Sequence, residues 1–305
     1  MMNTQILNIR LHLFLVVVPL ALLAACTAPA GSTGGAAVAA TVPTEAAATA
    51  VPPAAPTAVP TQPEPAAKTL TVFAAASLKE SFSKLGKQFE AAHPGVKVAI
   101  NFAGSQQLRT QLEEGAPADV FASANAKEMN AAIQSSLVVS GTQKTFARNR
   151  LIVIYPKDNP GQLAALADLS RSGLKLDIAD KAVPVGQYTL DMLGKMSADA
   201  AFGPDFQANV LRNVVSYEND VKAVVSKVSL GEADAGVVYS TDVTAAVAPK
   251  LGTIEIPDQF NQLATYPIAA LAAAPEPDLA AQFVDLVLSD AGQQVMQSYG
   301  FILPK

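Results

Sequence analysis

Side chains that usually carry catalysis are scarce in this chain. Its single cysteine is Cys26, and its two histidines are His12 and His93. A lone cysteine closes no intramolecular disulfide, and two distant histidines make no His-rich metal site. His12 falls in an N-terminal leader, and His93 lies in Ala92-His-Pro-Gly95, which reads as a surface turn after a helix. Neither Ser-His-Asp nor Cys-His chemistry finds support. What remains is a set of hydrogen-bond donors where strands turn into helices: Phe73-Ala-Ala-Ala-Ser-Leu78, Phe102-Ala-Gly-Ser-Gln106, Val183-Pro-Val-Gly-Gln187 and Glu218-Asn-Asp-Val221. A helix start presents unpaired N–H groups and the positive end of the helix dipole, so it holds an anion without any cation. One such Ser is an ordinary cap. Two Ser helix starts after strands, Ser77 and Ser105, with a late Tyr, raise the anion-site reading and leave plain capping open beside it.

Placing these starts requires an alternation of strand and helix. Thr69–Ala74 is a short β-rich run, followed by Leu78, Phe82, Leu85 and Phe89, whose spacing of 4, 3 and 4 marks one face of a helix. Val96–Phe102 predicts a strand and Ser105–Glu114 a helix with Leu108 and Leu112 inward. Further buried strands are predicted at Asp119–Ala122, Leu151–Tyr155, Leu174–Ile178, Gly236–Tyr239 and Gly252–Ile256. Helices are predicted near Tyr188–Met196 and over Asp220–Leu230, the second with Val221, Val224, Val225 and Val228 inward. This alternation predicts an α/β architecture with parallel sheets. Two sheets with a cleft between them suit 305 residues better than one.

Half of the residues are apolar, enough for a large core, and the formal net charge is −5. An acidic chain without a basic stripe is a poor nucleic-acid binder. It can still take an anion through local dipoles. The N-terminus carries Arg10 and then an apolar run, Leu11–Leu23, too short for a confident membrane span. The run ends in Leu23-Ala-Ala-Cys26, which resembles the bacterial lipobox. That resemblance implies removal of residues 1–25 as a signal peptide and acylation of Cys26. From Thr27 to about Ala67 the chain is Ala, Pro, Thr, Gly and Ser-rich, with Glu45 and Glu64 its only charges and Pro52, Pro53, Pro56, Pro60 and Pro63 against helix. Residues 26–68 therefore read as a lipid anchor and disordered tether. The folded part would sit on the outer face of the cytoplasmic membrane, on its periplasmic or extracellular side.

Leu70-Thr-Val-Phe-Ala-Ala-Ala-Ser-Leu-Lys-Glu80 resembles the opening of the molybdate-binding proteins of ABC transporters. So do Asn101-Phe-Ala-Gly-Ser105, Gly115-Ala-Pro-Ala-Asp-Val-Phe-Ala-Ser-Ala124, Val183-Pro-Val-Gly-Gln-Tyr188, Gly231–Asp242, Tyr266-Pro-Ile-Ala269 and Tyr299-Gly-Phe301, in order along the chain. The resemblance implies a two-lobed, type II periplasmic-binding-protein fold with the ligand cleft between lobes. Lobe 1 would comprise 69–148 and 264–305, and lobe 2 would comprise 149–263. It implies that Ser77 and Ser105 donate hydroxyl and backbone N–H groups, Val185 and Val221 backbone N–H groups, and Tyr239 its phenol. Val185 stands where the family usually has Ala, and Gln106 where it often has Ser; the methyls of Val185 could narrow the pocket. The ligand implied is molybdate or tungstate, held as an oxyanion with no protein–metal ligand, no cofactor and no catalysis. Separate permease and ATPase subunits of an ABC importer would be the partners.

Both oxyanions are fully deprotonated at neutral pH and need donors only, whereas hydrogen phosphate needs an acceptor. Asp220 and Glu218 could supply one, or serve as first-turn acids that favour the helix dipole. Arg109, Arg148, Arg150 and Lys222 read as surface charges. The alternatives are a receptor for sulfate, phosphate or another tetrahedral oxyanion, an enzyme on the same fold, and a surface adhesion or scaffold module. An enzyme would need a cluster of acids, His or metal ligands near the helix starts, and the sequence shows no such cluster.

Overall fold

In the computed structural model, which describes residues 68–304, the apolar faces read from the sequence close over two five-stranded sheets. The leader, Cys26 and the tether lie outside the described residues. The chain begins with β1 (Lys68–Ala75), a 3₁₀ turn (Ala76–Leu78), α1 (Lys79–Ala92), β2 (Val96–Ala103), α2 (Ser105–Glu113), β3 (Val120–Ala122), α3 (Ala126–Gln134) and β4 (Lys144–Asn149). It continues through β5 (Leu151–Pro156), β6 (Leu176–Ala179), α4 (Pro184–Ser197), α5 (Phe206–Arg212), β7 (Val214–Glu218), α6 (Val221–Ser229) and β8 (Ala235–Tyr239). It ends with β9 (Leu251–Glu255), β10 (Ala264–Ala270), α7 (Pro277–Leu288) and α8 (Asp290–Ser298).

The first sheet has the order β2-β1-β3-β10-β4 and the second β7-β6-β8-β5-β9. Neither is wholly parallel, which corrects the expectation from strand–helix alternation. β1 runs parallel to β2 and β3, and β6 to β7 and β8, but β10 is antiparallel to β3 and β4, and β5 to β8 and β9. The exceptions are the strands next to the chain's crossings between sheets. β5 follows β4 across the single residue Arg150, and β10 returns after β9. A strand arriving from the other sheet needs no helical crossover, so nothing forces it to be parallel. Asn261 ties the two crossings together: its amide oxygen accepts from Leu151 N–H at 2.9 Å, and its amide nitrogen donates to the Leu151 and Ile256 carbonyls.

The predicted helix faces are the packed ones. Leu78, Phe82, Leu85 and Phe89 are buried, and Phe82 and Phe89 meet Phe283 of α7 at ring separations of 5.9 and 5.5 Å. Val221, Val224, Val225 and Val228 of α6 are likewise buried. α4 starts at Pro184, four residues before the helix predicted near Tyr188, because proline is tolerated at a first helical position where no N–H is needed. His93 caps α1, with its ring stacked on Phe89 and bonded to Phe89 O and Gln282 Oε1, each at 2.8 Å.

Candidate functional site

The donors predicted from the sequence all sit at carboxyl ends of strands. Ser77 lies in the turn after β1, and Ser105 opens α2 after β2. Val185 is in the first turn of α4 after β6, Val221 opens α6 after β7, and Tyr239 ends β8. Helix N-termini converge at this edge of an α/β sheet, which is where such sheets take ligands. All five residues line one small cavity, with Ser77 and Ser105 from the first sheet's side and Val185, Val221 and Tyr239 from the second's.

Small residues let the backbone come this close: Ala75, Ala76, Ala103, Gly104 and Ala124 share the lining. A Cβ on Gly104 would collide with the Asn219 carbonyl, so only glycine lets the start of α2 approach the loop before α6. Gln106 turns to the same loop, its Nε2 donating to Asn219 O at 3.0 Å. A Cβ on Gly186 would collide with the Asp180 carbonyl. Val185 is buried and lines the cavity.

Lys, Arg and His are absent from the lining, and Asp220 is its single charged side chain. Asp220 is the N-cap of α6. Its Oδ1 accepts from Lys222 N–H at 2.7 Å and Ala223 N–H at 3.1 Å, so it is a capping carboxylate just before the first turn, where a first-turn acid was expected. The cap leaves the Val221 N–H outside its own bonds. Glu218 is elsewhere, bonded to Ser216 and Lys227.

Tyr239 is the most informative group. It is 1% exposed, and its phenol oxygen has no hydrogen-bond partner among the described residues. Burial, with Tyr266 next, raises its pKa well above 10.0, so the phenol stays protonated and is a donor. An unpaired buried hydroxyl costs about 1–3 kcal/mol. Ser77 Oγ lies 3.0 Å from the phenol oxygen of Tyr266, and Ser105 Oγ accepts from Ala124 N–H at 3.0 Å. Tyr266 and Asn149 stand behind Ser77; Tyr266 opens one of the segments that carry the resemblance, without a site role there, and Asn149 carries no local signal in the sequence.

Lys222 is no free surface charge, contrary to expectation. Its side chain is 23% exposed and its ammonium bridges Glu80 at 2.9 Å, from the first sheet's side, and buried Asp242 at 3.1 Å. Burial pushes Asp242 up to about 6, against the opposing pull of Lys222. Arg109 is drawn onto Glu128 and Glu113, and Arg150 pairs with Asp258. Among the described residues no group of three or more His, Cys, Asp or Glu could hold a metal ion, and no helix is long and apolar enough to cross a membrane.

The family description "bacterial extracellular solute-binding protein" matches residues 70–302. The chain is 38% identical over 242 residues to the molybdate-binding protein ModA of Mycobacterium tuberculosis, covering 79% of this chain and 87% of that one. In fold it is similar to the periplasmic molybdate-binding protein of Azotobacter vinelandii, with a TM-score of 0.66 and 22% identity over 77% of this chain and 100% of that one. It is also similar in fold to the sulfate-binding protein SubI of Mycobacterium tuberculosis, with a TM-score of 0.69 and 16% identity over 77% of this chain and 87% of that one. At such identities the likeness is one of architecture, and that architecture alone does not choose between oxyanions.

Proposed function

The chain belongs to the bacterial extracellular solute-binding protein family and has the two-lobed, type II periplasmic-binding-protein fold, and from that premise we propose that it captures molybdate, or the near-equal tungstate, for an ABC importer. Ser77, Ser105 and Tyr239 would donate hydroxyls, and Val185 and Val221 backbone N–H groups, to an oxyanion held between the lobes. The observation that carries this reading is the Tyr239 phenol, fully buried, protonated and unpaired at a cavity that no cation lines. A ligand oxygen gives that donor its acceptor. The identity to a molybdate-binding relative over most of both chains supports molybdate over sulfate or phosphate.

Binding by donors requires no cofactor, no protein–metal ligand and no reaction, so the chain acts as a receptor and not as an enzyme. The strands of the two sheets support lobe 1 at 69–148 and 264–305 and lobe 2 at 149–263. Acylated at Cys26 and tethered by 27–67, the receptor would deliver its ion to permease and ATPase subunits from the outer face of the cytoplasmic membrane. Calorimetric titration with molybdate, tungstate, sulfate and phosphate tests the reading. Molybdate and tungstate should bind well and sulfate much more weakly, because a smaller ion leaves donors unmet. Tight phosphate binding with none of molybdate would overturn the assignment.

A further inference from the structure

We propose that Tyr266 and Asn149 are positioning residues that fix Ser77 as a hydrogen-bond donor, and that the Ala124 N–H fixes Ser105 in the same way, so the cavity accepts fully deprotonated oxyanions and rejects protonated ones. This rests on the reading of the cavity as an oxyanion site. A hydroxyl can donate or accept, so its role is set by whatever stands behind it. Behind Ser77 the order of donors is set by a group that has no choice. Arg150 N–H can only donate, and it bonds Asn149 Oδ1 at 2.9 Å; Ser240 Oγ also donates to this oxygen, at 3.1 Å. That assigns the amide nitrogen of Asn149 to its other neighbours, Thr241 Oγ1 at 2.8 Å and the Tyr266 phenol oxygen at 3.4 Å.

Tyr266 thus receives a hydrogen from Asn149, and its own O–H is free for Ser77 Oγ, 3.0 Å away. The hydrogen of Ser77 then points onward into the cavity. In the opposite order the Tyr266 hydrogen would be left without a hydrogen bond in the core, since Tyr266 is fully buried and the neighbouring Tyr239 phenol oxygen makes none with it. A stranded buried donor is the more costly arrangement. Ser105 follows the same logic in one step. Ala124 N–H occupies its oxygen at 3.0 Å, and no protein acceptor among the described residues takes its hydrogen. With Tyr239, three hydroxyl hydrogens face the ligand. The single carboxylate at the cavity, Asp220, commits its Oδ1 to two N–H groups of α6. A protonated oxyanion would bring its own hydrogen against those of the three hydroxyls.

The test is calorimetric titration of the purified full chain with molybdate and with phosphate at about pH 8, where both are dianions and total charge cancels from the ratio of affinities. Tyr266→Phe frees Ser77 to turn and accept, so the molybdate-to-phosphate ratio should fall by about tenfold, one hydrogen bond's worth. Asn149→Asp keeps the acceptor for Arg150 N–H but replaces the donor behind Tyr266 by an acceptor, and should lower the ratio at least as far. It also serves should Tyr266→Phe fail to fold. Ser77→Ala reports on the underlying reading. If Ser77→Ala weakens molybdate binding while both other variants keep the wild-type ratio, the polarity proposal is wrong and the site stands. If Ser77→Ala changes nothing, the site reading fails and takes the proposal with it.

Discussion

Replacing Tyr239 by Phe should move ligand-free stability and ligand affinity in opposite directions. The ring is held by its packing, with the Tyr266 ring at 5.7 Å and 65° and 1% of the residue exposed, and Phe preserves that ring. The change removes a single buried oxygen that has no protein partner. Free of ligand, the protein should lose an unsatisfied group worth about 1–3 kcal/mol and become more stable, or at worst stay the same. For a folded part of this size each kcal/mol raises Tm by roughly 2–4 °C. With oxyanion present, a hydrogen bond to a charged group worth about 1.5–3 kcal/mol is gone, so affinity should drop about ten- to a hundredfold. Differential scanning calorimetry of the ligand-free protein and isothermal titration with molybdate read the two effects separately. A variant less stable by several kcal/mol, or one with unchanged affinity, would refute the reasoning about this phenol.

Asp177 is fully buried in β6, and burial, followed by the nearby Glu218, pushes its pKa from 3.8 up to about 7. Its proton is therefore retained by the fold and lost by the unfolded chain between those values. Its contribution to stability should be full below about pH 4, decline up to about pH 7 and then level off, and Asp177→Asn should remove that component of the pH dependence and be more stable than wild type at about pH 8 in denaturant titrations. Glu80→Gln removes one of two carboxylates on Lys222. Because that pair is partly exposed, molybdate affinity should fall only a few-fold, and less so in high salt, as titrations at two ionic strengths would reveal. Cys26→Ser should abolish acylation, visible by mass spectrometry of the membrane fraction, without changing oxyanion affinity; an unmodified mature N-terminus elsewhere in the wild type would refute the anchor.

Local signals carried much of the fold into the sequence. α1 and α6 announce themselves because their buried faces recur at helical spacing, and the donor segments because a strand run, a small residue and a Ser or Asp mark a helix start. Elements without such a signal stayed hidden. β10 contains Pro267, which argues against a strand until its place is seen: the pairing with β4 shifts register between Tyr266 and Pro267, where a missing N–H is tolerated. β7 leaves Val215 and Tyr217 exposed at a sheet edge, so its alternation does not mark a buried strand. Tyr266 lies 189 residues from Ser77, and no spacing rule connects them. Lys222 was misread for the same reason, since one of its carboxylates lies 142 residues away on α1.

The oxyanion would sit at the meeting point of four strand ends and the buried phenol. X-ray anomalous scattering from molybdenum in crystals of the molybdate complex locates the ion directly. One anomalous peak is expected in the cavity, with Ser77 Oγ, Ser105 Oγ, Tyr239 Oη and the Val185 and Val221 nitrogens each about 3 Å from a ligand oxygen. A saturated complex whose peak lies outside that cavity, or inside it but beyond hydrogen-bond reach of Tyr239, would contradict the account.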